Sequence, residues 1–459
     1  MADGTPHAPA FIRRLLDTLG IALCEVPEQP GIARGQCVQT ALLEDSRGSV
    51  LLLFSRDQLL DLLLLSELTG RSLRPLRPEG LQRMLDKQQL GCMPGLPPLT
   101  RAPCLYDKRL LQQPSLLVAS GQPGLLLKLS SADFARLLGN ARSASFAVPL
   151  DTIALNLDHP DQDFAQIRQA ISLNNGSSFA QRLDDALQIP PLAACAQKIL
   201  KLRVDPDATV DDISKLVESD PGLAQLLLRC TSSASFAAAG KARSVEDAMV
   251  RVLGFDLGTH LALGLAVDKS LREASHSPQP LNQCLPQMLQ AATIMRLLCQ
   301  AMPAAQRPEV GLASLCGLLH NIGLVLLTHA FAEKIPLLDQ QLEVNPHVHH
   351  SYVEQQLLGI RREQLGSWLM RNWDLPAELA SALRFQNDPG YCGAHAQYAN
   401  LLCLTRQLIA AQGTAQAAAD AWSQSLFARL GIDQQQAGRI IATLPAAASV
   451  TDPAEPLPA

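Results

Sequence analysis

Three clusters in this 459-residue sequence carry side chains capable of chemistry. His347-Val-His349-His350 sets three imidazoles within four positions, a density that suits a metal ion. It follows Asn345-Pro346, which starts a loop or a helix. The plainer expectation is therefore a solvated polar loop that picks up nickel or zinc adventitiously. Arg71, Arg74, Arg77 and Arg83 lie close together and can meet RNA phosphates; a solvated face explains them equally well. Eleven cysteines are scattered singly, with no C-x-x-C pair, as expected of reduced, mostly buried thiols in a cytosolic protein. Ser232 has no neighbouring His–Asp pattern and reads as a local cap or hydrogen bond rather than a nucleophile. Trp368 and Trp373 flank a helix that ends before Leu375-Pro376 and read as core anchors.

The elements that must position these residues divide the chain by texture. Hydrophobic residues make up 47%, charged residues 18% and aromatics only 4%, which excludes wholesale disorder and argues against an all-β sandwich. The net charge of -5 excludes a strongly basic, nucleic-acid-coating protein. Residues 1–150 hold 16 Lys+Arg against 13 Asp+Glu, a balance of +3, leaving -8 for the remainder. The N-terminus lacks a signal-peptide pattern. No apolar run is expected to reach the roughly 18 residues of a membrane span; Leu59–Leu65 is short and holds Asp61.

Residues 1–150 predict an α+β domain. Phe11, Leu15, Leu16 and Leu19 have helical spacing, with Gly20 as a natural cap. Ser49–Phe54, Ser115–Ala119 and Leu125–Leu129 read as buried strands. Residues 151–187 form a connector with one helix over 163–171. Residues 188–445 read as an all-α helical bundle, with Thr209 and two following aspartates as a helix start and a break at Asp220-Pro221. Residues 446–459 form a flexible, Pro/Ala-rich tail.

The second half resembles an HDOD domain. The run from Ile189 to Phe236, then RSVEDAMVRVLGFDLG, LCGLLHNIGLVLL and EQQLLGIRREQLGSWLMRNWDLPAELASALRF, occur in the family's order over about 250 residues. The resemblance implies a helical fold related to HD-type metallophosphohydrolases and a signalling module without catalysis. A catalytic HD site needs imidazoles and carboxylates converging on a divalent metal. By this resemblance the histidine–aspartate doublet reads His320-Asn321, and the first ligand position holds Gln287. Arg362 and Gln386-Asn387 stand where related domains often carry His, and Asn400 where an Asp would serve. One histidine cannot hold a catalytic metal that needs about three protein ligands, so His320 is expected to be a buried, hydrogen-bonded histidine and no metal is expected.

The first half resembles the YbaK-type aminoacyl-tRNA editing domain. The carrying stretches are QTALLEDSRGSVLLLFSRDQLLDLLLLSELTGRSLRP, LGCMPGLPPLT and CLYDKRLLQQPSLLVASGQPGLLLKLSSADFARLL, over about 130 residues. The resemblance implies a strand lysine that binds the aminoacyl-tRNA end. It also implies a Gly/Pro loop whose N–H groups position the ester. Here the lysine position aligns with Gln39, before Thr40; Gly91 and Pro94 retain part of the loop, and Asp107 centres a strand.

The two resemblances together imply a non-catalytic, cytoplasmic bacterial regulator with no cofactor, a protein partner for the HDOD half and a tRNA or aminoacyl ligand for the first half. They imply neither DNA nor membrane as a partner. The alternative is an aminoacyl-tRNA deacylase acting through the first half. Cyclic-nucleotide phosphodiesterase activity is a weaker third reading that Asn321 argues against.

Overall fold

A computed structural model describes residues 7–29, 31–100, 102–175, 194–205, 207–231, 242–274, 281–411 and 421–444. The expected tail, Ser232 and the second part of the connector lie outside the described residues.

Apolar runs without polar alternation imply strands buried on both faces, and Val50–Phe54 behaves so. The strands are β1 (Glu25–Pro27), β2 (Val38–Asp45), β3 (Gly48–Ser55), β4 (Gln58–Leu60), β5 (Arg74–Pro75), β6 (Cys104–Asp107), β7 (Ser115–Ala119), β8 (Leu125–Ser130), β9 (Arg142–Ala144) and β10 (Ala147–Pro149). A five-stranded sheet runs β5-β2-β3-β6-β9, a three-stranded sheet β1-β8-β7, and β4 pairs with β10. Within the large sheet, β2 and β3 form an antiparallel hairpin, while β3, β6 and β9 run parallel. Val38, Leu51 and Leu53 pack on one face with Leu96, Val118 and Phe134; Leu43, Leu52 and Phe54 pack on the other with Leu60 and Phe146. The three strands expected from sequence are β3, β7 and β8.

The Leu59–Leu65 run divides between two elements. It ends β4, and the Asp61 carboxylate then accepts from the Leu63 and Leu64 N–H groups at 2.9 and 3.2 Å, capping the helix Leu62–Thr69. The first helix, Ala10–Thr18, buries Ile12 and Leu16, whereas Phe11 is exposed. A shift of one residue turns a helix face by about 100°, so the inward stripe is the i, i+4 pair and not the one beginning at Phe11.

The chain forms two compact units. The first comprises Met1–Ala154 and Pro336–Gln356; the second comprises Leu155–Ile335 and Leu357–Ala459. This differs from the boundaries expected at 150 and 188, and it moves a segment of the second half into the first unit. The connector helix, Asp163–Asn175, belongs to the second unit.

In the second unit helices cross at glycines. A Cβ on Gly317, in helix Val310–Leu319, would lie 2.7 Å from the Ala291 carbonyl oxygen of helix Leu281–Ala301. One on Gly323, in helix Ile322–Ala330, would collide with the Arg362 carbonyl oxygen. Val310–Ala330 spans 21 residues and is apolar enough to cross a membrane, contrary to the expectation that no run reaches that length; 78% of it is buried within the protein. Thr209 caps helix Val210–Glu218 through a reciprocal pair of bonds with Asp212, and a new helix starts at Pro221.

Candidate functional site

Of the positions that the HDOD resemblance singled out, Gln287, Arg362 and Asn400 lie on helices of the second unit, and His320, Asn321, Gln386 and Asn387 lie in turns at helix ends. His320 is buried, with Nδ1 2.7 Å from the Gly317 carbonyl oxygen, the turn-internal bond expected of a structural histidine. Gln386 is buried beside it and donates to the His320 carbonyl at 3.2 Å and the Leu383 carbonyl at 3.0 Å. Arg406 donates to the Gln386 Oε1 at 3.3 Å and to the Asn387 Oδ1, and Asn387 donates to Glu363 at 2.7 Å. Arg362 is buried at the start of helix Arg362–Asn372, where its carbonyl meets Gly323. Asn321 caps the N-terminal end of helix Ile322–Ala330 by position, without a side-chain cap bond. Asn400 is buried and donates to the Tyr391 carbonyl at 3.3 Å. Gln287 is partly exposed on helix Leu281–Ala301. His320, Gln386, Asn387 and Arg406 are thus joined by hydrogen bonds of their own.

A second buried network, which sequence reading missed, fixes the connector helix. Arg384 grips Asp163 through two bonds of 2.7 and 3.0 Å and donates to the Asn156 carbonyl at 2.6 Å. Gln364 donates to Asp163 at 2.8 Å and to Gln166 at 2.7 Å. The partners stand about 200 positions apart and leave no local signature; the one usable hint is an aspartate opening a helix. Trp373 is buried as an anchor, and Trp368 stacks on Phe164 at 6.3 Å.

The editing-like positions in the first unit are dispersed over the large sheet. Successive strand residues point to opposite faces. Thr40 pairs with Leu53, Leu53 with Tyr106 and Tyr106 with Ser143, one row across four strands. Thr40 belongs to the face packed against Val118, and its Oγ1 lies 3.1 Å from where a Cβ on Gly95 would stand. Gln39 pairs with Phe54 and takes the other face, with Ala41 and Leu43. Asp107 alternates onto Gln39's face and is buried, accepting from the Arg109 N–H at 3.0 Å as a turn cap. The Gly91–Gly95 loop is therefore beside Thr40, while Gln39 and Asp107 lie across the sheet.

Inside the loop the N–H groups of Gly91 and Cys92 donate to the Gly121 carbonyl at 2.9 and 3.3 Å, and that of Gly95 to the Ala119 carbonyl at 3.3 Å. A Cβ on Gly91 would stand 2.6 Å from Pro123, and one on Gly95 2.5 Å from Val118. These glycines permit close packing, and their N–H groups are engaged with the β7–β8 turn rather than turned toward a substrate. Pro94 is buried beside them.

Arg71 is engaged within the protein. Its guanidinium forks onto Asp45, with Nε 2.8 Å from Oδ2, and reaches the Gly48 carbonyl at 2.7 Å, closing the β2–β3 hairpin. The Arg71 hydrogen bonds hold the Asp45 carboxyl down to about 2. Arg74 is exposed and stands opposite Glu44 in the β2–β5 register, and Arg77 and Arg83 are exposed.

The histidine cluster is buried, contrary to the solvated loop expected. His349 and His350 are buried with rings 4.1 Å apart, and His347 donates from Nε2 to the Gln58 carbonyl at 2.9 Å. Desolvation, aided by the Arg56 and Arg34 cations, lowers the His347 pKa to about 4, so its imidazole is neutral at pH 7. The missed neighbour is Asn345, whose side chain accepts from the Leu60 N–H at 2.8 Å and donates to the Leu60 carbonyl at 2.9 Å. Of ten described cysteines, all free, five are buried.

Comparison with known proteins agrees with this architecture. The HDOD domain family matches residues 189–389, and the aminoacyl-tRNA editing domain family matches residues 22–137. The crystal structure of a "Putative signal transduction protein" from Marinobacter aquaeolei VT8 is 36% identical, covers 95% of this chain and 97% of that chain, and superposes with a TM-score of 0.84. A "putative trans-editing enzyme for prolyl tRNA synthetase" is 26% identical over 30% of this chain and 98% of that chain, with a TM-score of 0.25. An uncharacterized protein of Treponema pallidum (strain Nichols) is 27% identical over 216 residues; the match spans 46% of this chain and 39% of the length of that protein.

Proposed function

The chain belongs to the family of the Marinobacter aquaeolei protein and joins an aminoacyl-tRNA editing domain to an HDOD domain, and on that basis we propose that it is a regulatory protein of signal transduction rather than an enzyme. Its editing-like half senses an aminoacyl or RNA-end ligand in the bacterial cytoplasm, and its HDOD half engages a protein partner. The observation that carries the reading is the chain of bonds Gln386–His320 and Arg406–Asn387–Glu363. At the positions where a phosphohydrolase would carry metal ligands, Gln386 and Asn387 are neutral amides, bonded to the His320 backbone, to Arg406 and to Glu363. A fold without its site chemistry is what a binding module needs.

The test is hydrolysis by the purified full chain, assayed on a panel of mischarged tRNAs and on cyclic nucleotides with manganese. Neither class of substrate should turn over. Metal-dependent phosphodiester cleavage would remove the reading.

One observation favours the alternative deacylase. Thr40 Oγ1 is buried without a partner, beside the Gly95 backbone. A hydroxyl in that position can hold a water for attack on an ester. Thr40→Val discriminates between the two: it abolishes any deacylation that depends on a water held by the Thr40 hydroxyl, and changes nothing in a binding module.

A further inference from the structure

Helix Asp163–Asn175 sets an aromatic ring on the surface of the second unit. Arg384 holds Asp163 inward, and the next residue on a helix lies about 100° around the axis. Phe164 therefore faces out and is 48% exposed. Trp368, half-buried on helix Arg362–Asn372, lies nearly parallel to it, with ring centres 6.3 Å apart and planes 21° off. Arg168, exposed one turn along from Phe164, places its guanidinium carbon 5.7 Å from the centre of the Phe164 ring. Arg371, also exposed, donates to the Pro160 carbonyl at 3.3 Å and to the Ser367 Oγ at 3.2 Å, both neutral acceptors. Among the described residues neither arginine pairs with a carboxylate: Asp163 is turned onto Arg384, and exposed Asp161 bonds to neither. Two rings flanked by two cations without counter-charges suit a ligand that is flat-sided and anionic.

The chain itself carries a segment of that chemistry. Residues 445–459 follow helix Gln434–Ala442 and hold Pro445, Pro453, Pro456 and Pro458, with Asp452 and Glu455 and no Lys or Arg. In a polyproline II helix positions three apart share a side. The spacing therefore pairs Pro453 with Pro456 and Asp452 with Glu455. Proline-rich segments dock on aromatic surfaces in this form. At about 3.1 Å per residue, 445–459 reaches roughly 45 Å. That is comparable to the width of a compact unit of this size, whose radius of gyration is roughly 19 Å.

We propose that residues 445–459 dock on the Phe164–Trp368 surface of their own chain, with Pro453 and Pro456 against the rings and Asp452 and Glu455 on Arg168 and Arg371. The segment then occupies a surface whose residue types, Trp, Phe and Arg, are those enriched in protein interfaces. Where the second unit engages a protein partner, a clause that rests on the function proposed above, the segment competes with that partner. The docking itself stands without a partner.

The probe is a fluorescent peptide of residues 445–459. The receptor is the full chain carrying Asp452→Lys and Glu455→Lys, whose own segment no longer competes. Fluorescence anisotropy should show the peptide bound by this receptor, and bound at least about tenfold more weakly by the unaltered chain, where the natural segment fills the surface. Phe164→Ala added to the receptor should weaken the peptide by roughly tenfold, and the exposed ring can be removed without unfolding the helix. A charge exchange guards against a folding defect. The full chain carrying Arg168→Glu and Arg371→Glu should lose the natural peptide and bind a peptide carrying Asp452→Lys and Glu455→Lys. A receptor that binds no peptide overturns the proposal, as does binding that Phe164→Ala leaves unchanged. Equal binding by the receptor and the unaltered chain also overturns it, because the natural segment is then not in place.

Discussion

The helical unit brings His320, Gln386 and Asn387 together, and the sheet unit sets Gln39 and Thr40 apart. His320, Gln386, Asn387 and Arg406 are linked by hydrogen bonds in one buried place. Gln39 and Thr40 are adjacent in sequence and lie on opposite faces of a sheet. The difference teaches that distant residues meet at helix ends through packing, whereas on a strand register decides which neighbours meet, because one step along a strand reverses the face.

The two units also differ in what locks them. The helical unit relies on a buried ion pair; the first unit relies on neutral side chains against a strand edge. Breaking the ion pair should have the largest effect. Arg384→Ala leaves the buried Asp163 carboxylate without its counter-charge and should cost about 3–5 kcal/mol in urea unfolding. A loss below about 1 kcal/mol would show that the connector helix is not held this way.

Gly323→Ala should cost about 3 kcal/mol, because the added methyl meets backbone at Arg362 and not a side chain that can yield. An unchanged melting temperature would place the two helices farther apart.

Acid should act on the first unit in particular. The unfolded His347 binds its proton more readily than the folded one, so unfolding takes up a proton between pH 6.5 and about 4. The contribution is complete above pH 6.5 and falls as pH drops through that window, by up to about 3 kcal/mol. His347→Gln should flatten the pH dependence of amide exchange at β4; an identical acid profile in the variant would contradict the buried neutral ring.

The smallest effect is a gain. Gly438 lies in helix Gln434–Ala442 with open space around its Cβ position, so Gly438→Ala should stabilise the helical unit by about 0.5–1 kcal/mol. Calorimetry checks it, and a loss would mean that the helix packs against something at that point.

Much of the local structure was legible. The apolar runs became β3, β7 and β8, and Thr209 with Asp212 started a helix as its capping pattern implies. Gly91 and Pro94 were recognisable as a loop, but the direction of that loop's N–H groups depends on carbonyls of Gly121 and Ala119, which no local pattern announces. Arg71 looked like one of four equivalent arginines until the hairpin brought Asp45 against it. The histidine cluster was misjudged because Asn345-Pro346 is loop-like in composition, while its burial comes from β4, some 285 positions earlier.

The sequence by itself determined the element types, the two family memberships and the neutral side chain at Asn321, which no packing arrangement turns into a carboxylate. These depend on residue identity and on periods of two or 3.6, which are local properties of the chain. Only the tertiary structure decided that the Gly91–Gly95 loop packs beside Thr40, that His347 is neutral, and that Pro336–Gln356 folds with the first unit. Each of those follows from which distant backbone groups a side chain meets when both leave water, and a linear sequence does not specify that pairing.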